Sequence, residues 1–228
     1  MDLRALQTRL AETGRYGGAI DGMWGRLTRG AILRALEDGP DTRLTRQDLE
    51  ASAARLGVSY AAIKAVDEVE AAGAGFQDGY PKILPEPHRF SRATQHRFDR
   101  SHPTLSYPEW GQRPYPRLQA ARYDQLVGMI ELDIDAGFAS ASYGRFQIMG
   151  ENHAACGYGS PFAFAEAMAR DEPTQLKAFE GFLAANGLIA ALRRQDWTTF
   201  ARKYNGTAYR KNKYDEKLAA AHARAVRS

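Results

Sequence analysis

Apolar side chains recur at helical intervals along most of the chain. Leu3, Leu6 and Leu10 fall on one face of a first segment, and Leu27, Ile32, Leu33 and Leu36 on one face of a second. Between them runs GRYGGAIDGMWG, where Gly14, Gly17, Gly18, Gly22 and Gly25 permit turns that other residues resist. Asp38-Gly39-Pro40-Asp41 breaks the pattern and reads as a linker. Thr45 with Asp48 three positions on marks a capping-box start for a helix ending near Gly57, and Ser59 caps another helix running to Gly73. Residues 77–118, rich in proline and aromatics, predict irregular structure. Helical pattern returns over about 120–137, followed by SASYGRFQIMG, which has strand or loop character. Ser160-Pro161, the stretch from Pro173 to Gly187, Asp196 before Trp197 and the alanine-rich end signal further helices. The pattern predicts a mainly α protein with a small unit at 1–40, a linker and connecting helix at 41–57, and a larger domain at 58–228. That larger domain is expected to carry one small, irregular β region. No internal repeat is visible.

Composition narrows the class. With 44% hydrophobic residues the chain can bury a proper core. Apolar runs such as Leu188–Leu192 fall far short of the ~20 residues a membrane helix needs. The opening MDLRALQTRLAETG has no signal-peptide stretch, so the expectation is synthesis in the cytoplasm and export by another route. A single cysteine, Cys156, excludes an internal disulfide framework and multi-cysteine metal clusters. Only His153 stands near it as an activating base, so it reads as a small buried residue. No metal or cofactor is expected. From Arg193 onward ten lysines and arginines face three acidic residues, a local balance of +7 in a chain of net +4. Such a segment suits an anionic partner, whether cell envelope or nucleic acid, and equally suits a solvated helix face.

One carboxylate stands out. In SYAAIKAVDEVEAAG, at about 100° per residue, Ala62, Ile63, Val66 and Val69 share one side, and Glu70 falls about 20° from Ile63 on that apolar arc. Glu68 points to solvent beside Lys64, and Asp67 sits at the rim. Desolvation raises the pKa of a carboxyl among apolar groups, the state a general acid needs near neutral pH. The same placement suits a structural glutamate paired with a buried arginine.

The segment AVDEVEAAGAGF resembles the catalytic helix of the phage endolysin N-acetylmuramidases, a family with a lysozyme-like fold. KILPEPHRF, SASYGRFQIMG, the helix around 175–182 and DWTTFARKYNGTAYRKNKYDEKLA match the same family in order, across roughly residues 58–225. The resemblance implies a lysozyme-like α+β catalytic domain with Glu70 as catalytic acid. LQTRLAETGRYGGAIDGMWGRLTRGAI resembles a small three-helix peptidoglycan-binding domain, which implies wall contacts from Tyr16, Asp21, Gly22 and Thr28.

Resemblance suggests further roles. SASYGRFQIMG is similar to the segment lining the sugar groove of goose-type lysozymes and lytic transglycosylases. Small residues Ser140, Ser142 and Gly144 would let glycan approach the backbone, Tyr143 would offer a ring face, and Gln147 would hydrogen-bond substrate. The same stretch also reads as a packed turn with Phe146 and Ile148 in the core. KYNGTAY resembles a segment in which Tyr204 would point its hydroxyl toward the glutamate or the sugar, with Asn205 beside it; Asn205-Gly206 reads too as a helix C-cap. Glu86, between two prolines, is a candidate substrate contact or second carboxylate, or a partner of Arg89. Asp133 and Asp135 are further candidates. Trp110 and Tyr115 either stack on sugars or pack the irregular region. Two departures from the family, residues 94–120 and Tyr rather than Trp at 143, bear on subsite details.

The reading is therefore a monomeric enzyme that hydrolyses the MurNAc–GlcNAc β-1,4 bond of peptidoglycan and lyses a host cell. A lytic transglycosylase acting on the same bond, a chitinase and a non-catalytic wall-binding protein are the alternatives. No nucleic-acid-binding motif accompanies the basic segment.

Overall fold

The computed structural model describes residues 1–227 except 38, 41 and 72, so Asp38 and Asp41 of the expected linker lie outside the described residues. The N-terminal unit contributes α1 (Leu3–Glu12), capped by the Asp2 side chain on Ala5 N, and α2 (Arg26–Glu37). Leu6, Leu10, Ile32 and Leu36 are buried between them, whereas Leu27 is exposed.

The glycine-rich loop joining these helices is organised from inside by Gln7, which is fully buried. Its Nε2 lies 3.1 Å from Tyr16 Oη, 3.0 Å from Asp21 Oδ1, 3.1 Å from Met23 O and 3.3 Å from Thr28 Oγ1, and its Oε1 accepts from Gly22 N at 2.8 Å. Gly22 adopts φ +71°, a left-handed conformation that glycine takes without steric cost. Each of the four residues expected to contact peptidoglycan thus puts a polar atom on Gln7, while the Tyr16 hydroxyl also donates to Ala19 O and Asp21 Oδ1 also accepts from Met23 N. Tyr16 and Thr28 are interior side chains. Replacing Gln7 with alanine strips this loop of its shared partner and is expected to destabilise the unit by about 2–3 kcal/mol, read as early proteolysis between α1 and α2.

The connecting helix α3 (Arg46–Leu56) opens with a true capping box, Thr45 and Asp48 each bonding the other's backbone N–H, and closes on Gly57 at φ 62°. Ser59 caps α4 (Tyr60–Glu70). This helix stops at Glu70, short of the expected Gly73, because Ala71 turns extended and the following glycines are held by distant groups described below.

Two small sheets replace the single β region expected. β1 (Phe76–Gln77) and β2 (Tyr80–Pro81) form a short hairpin, while β3 (Ile83–Pro85) pairs antiparallel with β4 (Ala141–Tyr143), itself paired with β5 (Ile148–Met149). The register Ile83–Tyr143 and Pro85–Ala141 turns those residues into the core. The region read as irregular also contains α5 (Pro87–Ala93), started by Pro87, and its later turns fold over a small cluster in which the Phe90 and Phe98 rings stack 5.8 Å apart. Helices α6 (Gln119–Leu132) and α7 (Ile134–Ala139) lead into β4.

After β5 come α8 (Pro161–Met168), α9 (Glu172–Ala185), α10 (Ile189–Arg193), α11 (Trp197–Asn205) and α12 (Tyr214–Ala225). Ser160, Asp171 and Asp196 cap α8, α9 and α11 through their side chains. α12 packs along α4. One continuous core runs from Leu6 in α1 through Ile63 and Phe179 to Leu218 in α12. Arg15–Glu166 at 3.2 Å and Arg29–Asp124 at 2.5 Å further join the N-terminal unit to the rest. Among the described residues no helix is long and apolar enough to cross a membrane.

Candidate active site

Glu70 is the last residue of α4, half-buried, at the helix end where backbone carbonyls disfavour a negative charge. Burial pushes its carboxyl up to about 6; the hydrogen bond from Asn205 and the nearby Lys217 ammonium pull the other way without cancelling it. Asn205 Nδ2 donates to Glu70 Oε1 at 3.0 Å. Asn205 ends α11, and Gly206, at φ 74°, turns the chain away there. Its C-terminal position on the helix and its contact with Glu70 are one arrangement. Replacing Asn205 with leucine removes a bond that favours the carboxylate, so Glu70 should hold its proton to higher pH. The alkaline limb of the kcat/KM profile is expected to move upward.

Glu70 opens on a cleft of about 410 Å³ lined also by Arg89, Gln147, Glu151, Tyr204, Asn205 and Tyr214. Gln147 sits at φ 47°, its Nε2 donating to Gly144 O at 2.8 Å and Lys82 O at 3.1 Å. Its Oε1 accepts from the buried Ser142 hydroxyl at 2.9 Å. Ser142 therefore acts on the cleft through Gln147.

Several expected contacts fall elsewhere. Tyr143 is 1% exposed, its hydroxyl donating to Phe138 O at 3.0 Å and its ring meeting the Phe164 ring edge-on, so it presents no face to a sugar. Gly144 makes room for Gln175 rather than for glycan: a Cβ there would stand 2.5 Å from the Gln175 amide carbon. Tyr204 lines the cleft, but its hydroxyl donates to Phe146 O at 3.1 Å rather than to Glu70, and its ring stacks on Phe200. Glu86 takes a hydrogen bond from the Tyr115 hydroxyl, with His88 Nδ1 3.2 Å away, and burial raises its pKa. It is not among the residues lining the cleft, and Arg89 pairs instead with Glu151 at 2.7 Å. Asp133 caps α7 and pairs with Arg97; Asp135 meets the terminal ammonium. Trp110 is 73% exposed, so it does not pack the irregular region. Cys156 is buried, its thiol pushed up to about 12.

A buried ionic network supports the segment after Glu70. Asp67, expected at the rim, is 3% exposed and accepts from Arg145 Nε at 2.6 Å. Arg145 also donates to Gly73 O at 3.0 Å and lies 3.3 Å from Glu172, which is 1% exposed. Glu172 in turn accepts from Gly75 N at 2.6 Å and Leu44 N at 2.9 Å. Glu68 is on the outer face as expected, but pairs with Arg224, while Lys64 turns to Asp67.

Sequence reasoning passed over Glu151 and Tyr214, and offered Arg89 only as a partner for Glu86. Arg89 and Glu151 are 62 positions apart, and nothing local to either announces the pair.

The mainly helical body, with a small sheet beside a cleft that holds one half-buried glutamate, is a lysozyme-like fold. Residues 59–226 match the family model of the N-acetylmuramidases. The whole chain is similar to the crystal structure of the Burkholderia AP3 phage endolysin, with a TM-score of 0.76 and 36% identity over 99% of this chain and 94% of that one. No curated protein sequence matches significantly. The chain belongs to the N-acetylmuramidase family and is a peptidoglycan hydrolase.

Proposed function

We propose that this protein is a modular endolysin that hydrolyses the β-1,4 bond between N-acetylmuramic acid and N-acetylglucosamine, with Glu70 as general acid. The observation that carries this reading is the Glu70 carboxyl on the cleft, half-buried at the end of α4 and raised to about 6. A carboxyl in that state is protonated often enough near neutral pH to donate to the glycosidic oxygen. Asn205 holds the acid in place, and Gln147 forms part of the wall along which glycan lies.

The N-terminal unit, in this reading, holds the enzyme on peptidoglycan through the outside of its glycine-rich loop. Ile20 and Met23 of that loop and Leu27 at the start of α2 are exposed there, at 41%, 67% and 61%. Exposed Arg202, Lys203, Lys211 and Lys213 draw the enzyme to the anionic envelope once it is released from the cytoplasm of the host. The deciding experiment is digestion of purified peptidoglycan followed by mass spectrometry of the products. Reducing muramic acid ends are expected. Termini in the 1,6-anhydro form would make the enzyme a lytic transglycosylase, and reducing N-acetylglucosamine ends would assign a different bond.

A further inference from the structure

Two carboxylates line the cleft, and only one has a role so far. Glu151 stands in the short 3-10 turn Gly150–Asn152 directly after β5, whereas Glu70 enters from the end of α4. Every other acid considered is engaged away from the cleft: Glu86 with Tyr115 and His88, Asp133 with Arg97, Asp135 with the terminal ammonium. Glu151 is held by one group, Arg89 of α5, whose Nη1 donates to Oε1 at 2.7 Å. Its other oxygen accepts no hydrogen bond among the described residues. This is the arrangement of a base set in place by a third group, with one lone-pair edge left for a water. An inverting glycosidase needs such a carboxylate, with room for a water between it and the sugar.

We propose that Glu151 is the general base of the hydrolysis, oriented by Arg89. The proposal rests on the reading of Glu70 as acid. Glu151 takes a proton from water as that water bonds to the anomeric carbon. The bond from that carbon to the glycosidic oxygen breaks, and the oxygen receives the Glu70 proton. The product is the α-anomer of the reducing muramic acid, and proton exchange with solvent resets both carboxyls. A base of this kind serves an external water, so it also favours hydrolysis over attack by the muramyl 6-hydroxyl.

The test compares wild type, Glu151→Gln, Glu151→Ala, Arg89→Lys and Glu70→Gln on soluble peptidoglycan fragments, with products followed by proton NMR. Glu151 is exposed, and circular dichroism checks that each variant is folded. Glu151→Gln is expected to lose 100-fold or more in kcat with little change in KM. Arg89→Lys should fall between it and wild type, with an altered acid limb. Azide should restore turnover to Glu151→Ala, giving the α-glycosyl azide, and should do nothing for Glu70→Gln. Wild-type kcat in Glu151→Gln, or a β-anomer formed first by wild type, would overturn the proposal while leaving Glu70 as acid. Full activity in Glu70→Gln would instead overturn the reading beneath it.

Discussion

Glu70→Gln is expected to lower turnover on purified peptidoglycan by 10²- to 10⁴-fold, the usual contribution of a general acid. Glutamine keeps the shape and the Asn205 contact but has no proton to give. Binding to sacculi, measured by sedimentation, should survive, because the N-terminal unit and the other residues lining the cleft are untouched. A non-catalytic wall-binding protein would show no change in either measurement, so wild-type turnover in the variant would defeat the assignment. The variant should also report on stability. The Glu70 carboxyl rises from 4.5 to about 6 in the folded protein, mainly through burial. Between those values the folded state binds more proton than the unfolded one, so this group lowers stability as pH rises through the window. Above pH 6 glutamine removes that cost, and Glu70→Gln should melt no lower than wild type at pH 7.5. A residue that weakens its own fold while serving a reaction is the pattern expected of an active site.

Glu172→Ala is expected to have the largest effect on stability, about 3–5 kcal/mol. The deletion leaves Arg145 with Asp67 as its one carboxylate beside the Gly73 carbonyl, and orphans the N–H groups of Gly75 and Leu44. For a chain of this size each kcal/mol moves the melting temperature by roughly 2–4 °C, so a fall of about 10 °C is anticipated in calorimetry. Activity should decline with it at temperatures where the fold persists, because the same network anchors the chain as it leaves Glu70. The exposed pair Arg46–Glu50 is the natural control, and breaking it should cost under about 1 kcal/mol.

Local physics made much of this legible in advance. Thr45 with Asp48, Ser59, Ser160 and Asp196 announce helix starts because a cap depends on neighbours a few positions away. The facing of Glu70 follows from helical periodicity in the same way. The end of α4 does not, since it is set by Arg145 and Glu172 from far along the chain. An arginine of the kind that offered an alternative account of Glu70 does exist, half-buried, but it serves Asp67, three residues earlier. Angles on a helical wheel place a residue on a side and cannot say which distant group waits there. Tyr143 shows the same limit, because alternation along a strand does not tell a groove face from the face packed on Phe164. Gln7 was hidden for another reason: a buried amide that organises a loop looks, in sequence, like any polar helix residue.

The shared core of the N-terminal helices and the catalytic body has a consequence for work on an insoluble mesh. An anchor on a loose tether lets a hydrolase sweep many bonds from one foothold. With the N-terminal unit as the proposed anchor, the foothold would be welded to the blade, and each landing would expose only the strand that lies at one fixed offset and angle. Clearing a wall then becomes a sequence of landings, in which letting go matters as much as holding on.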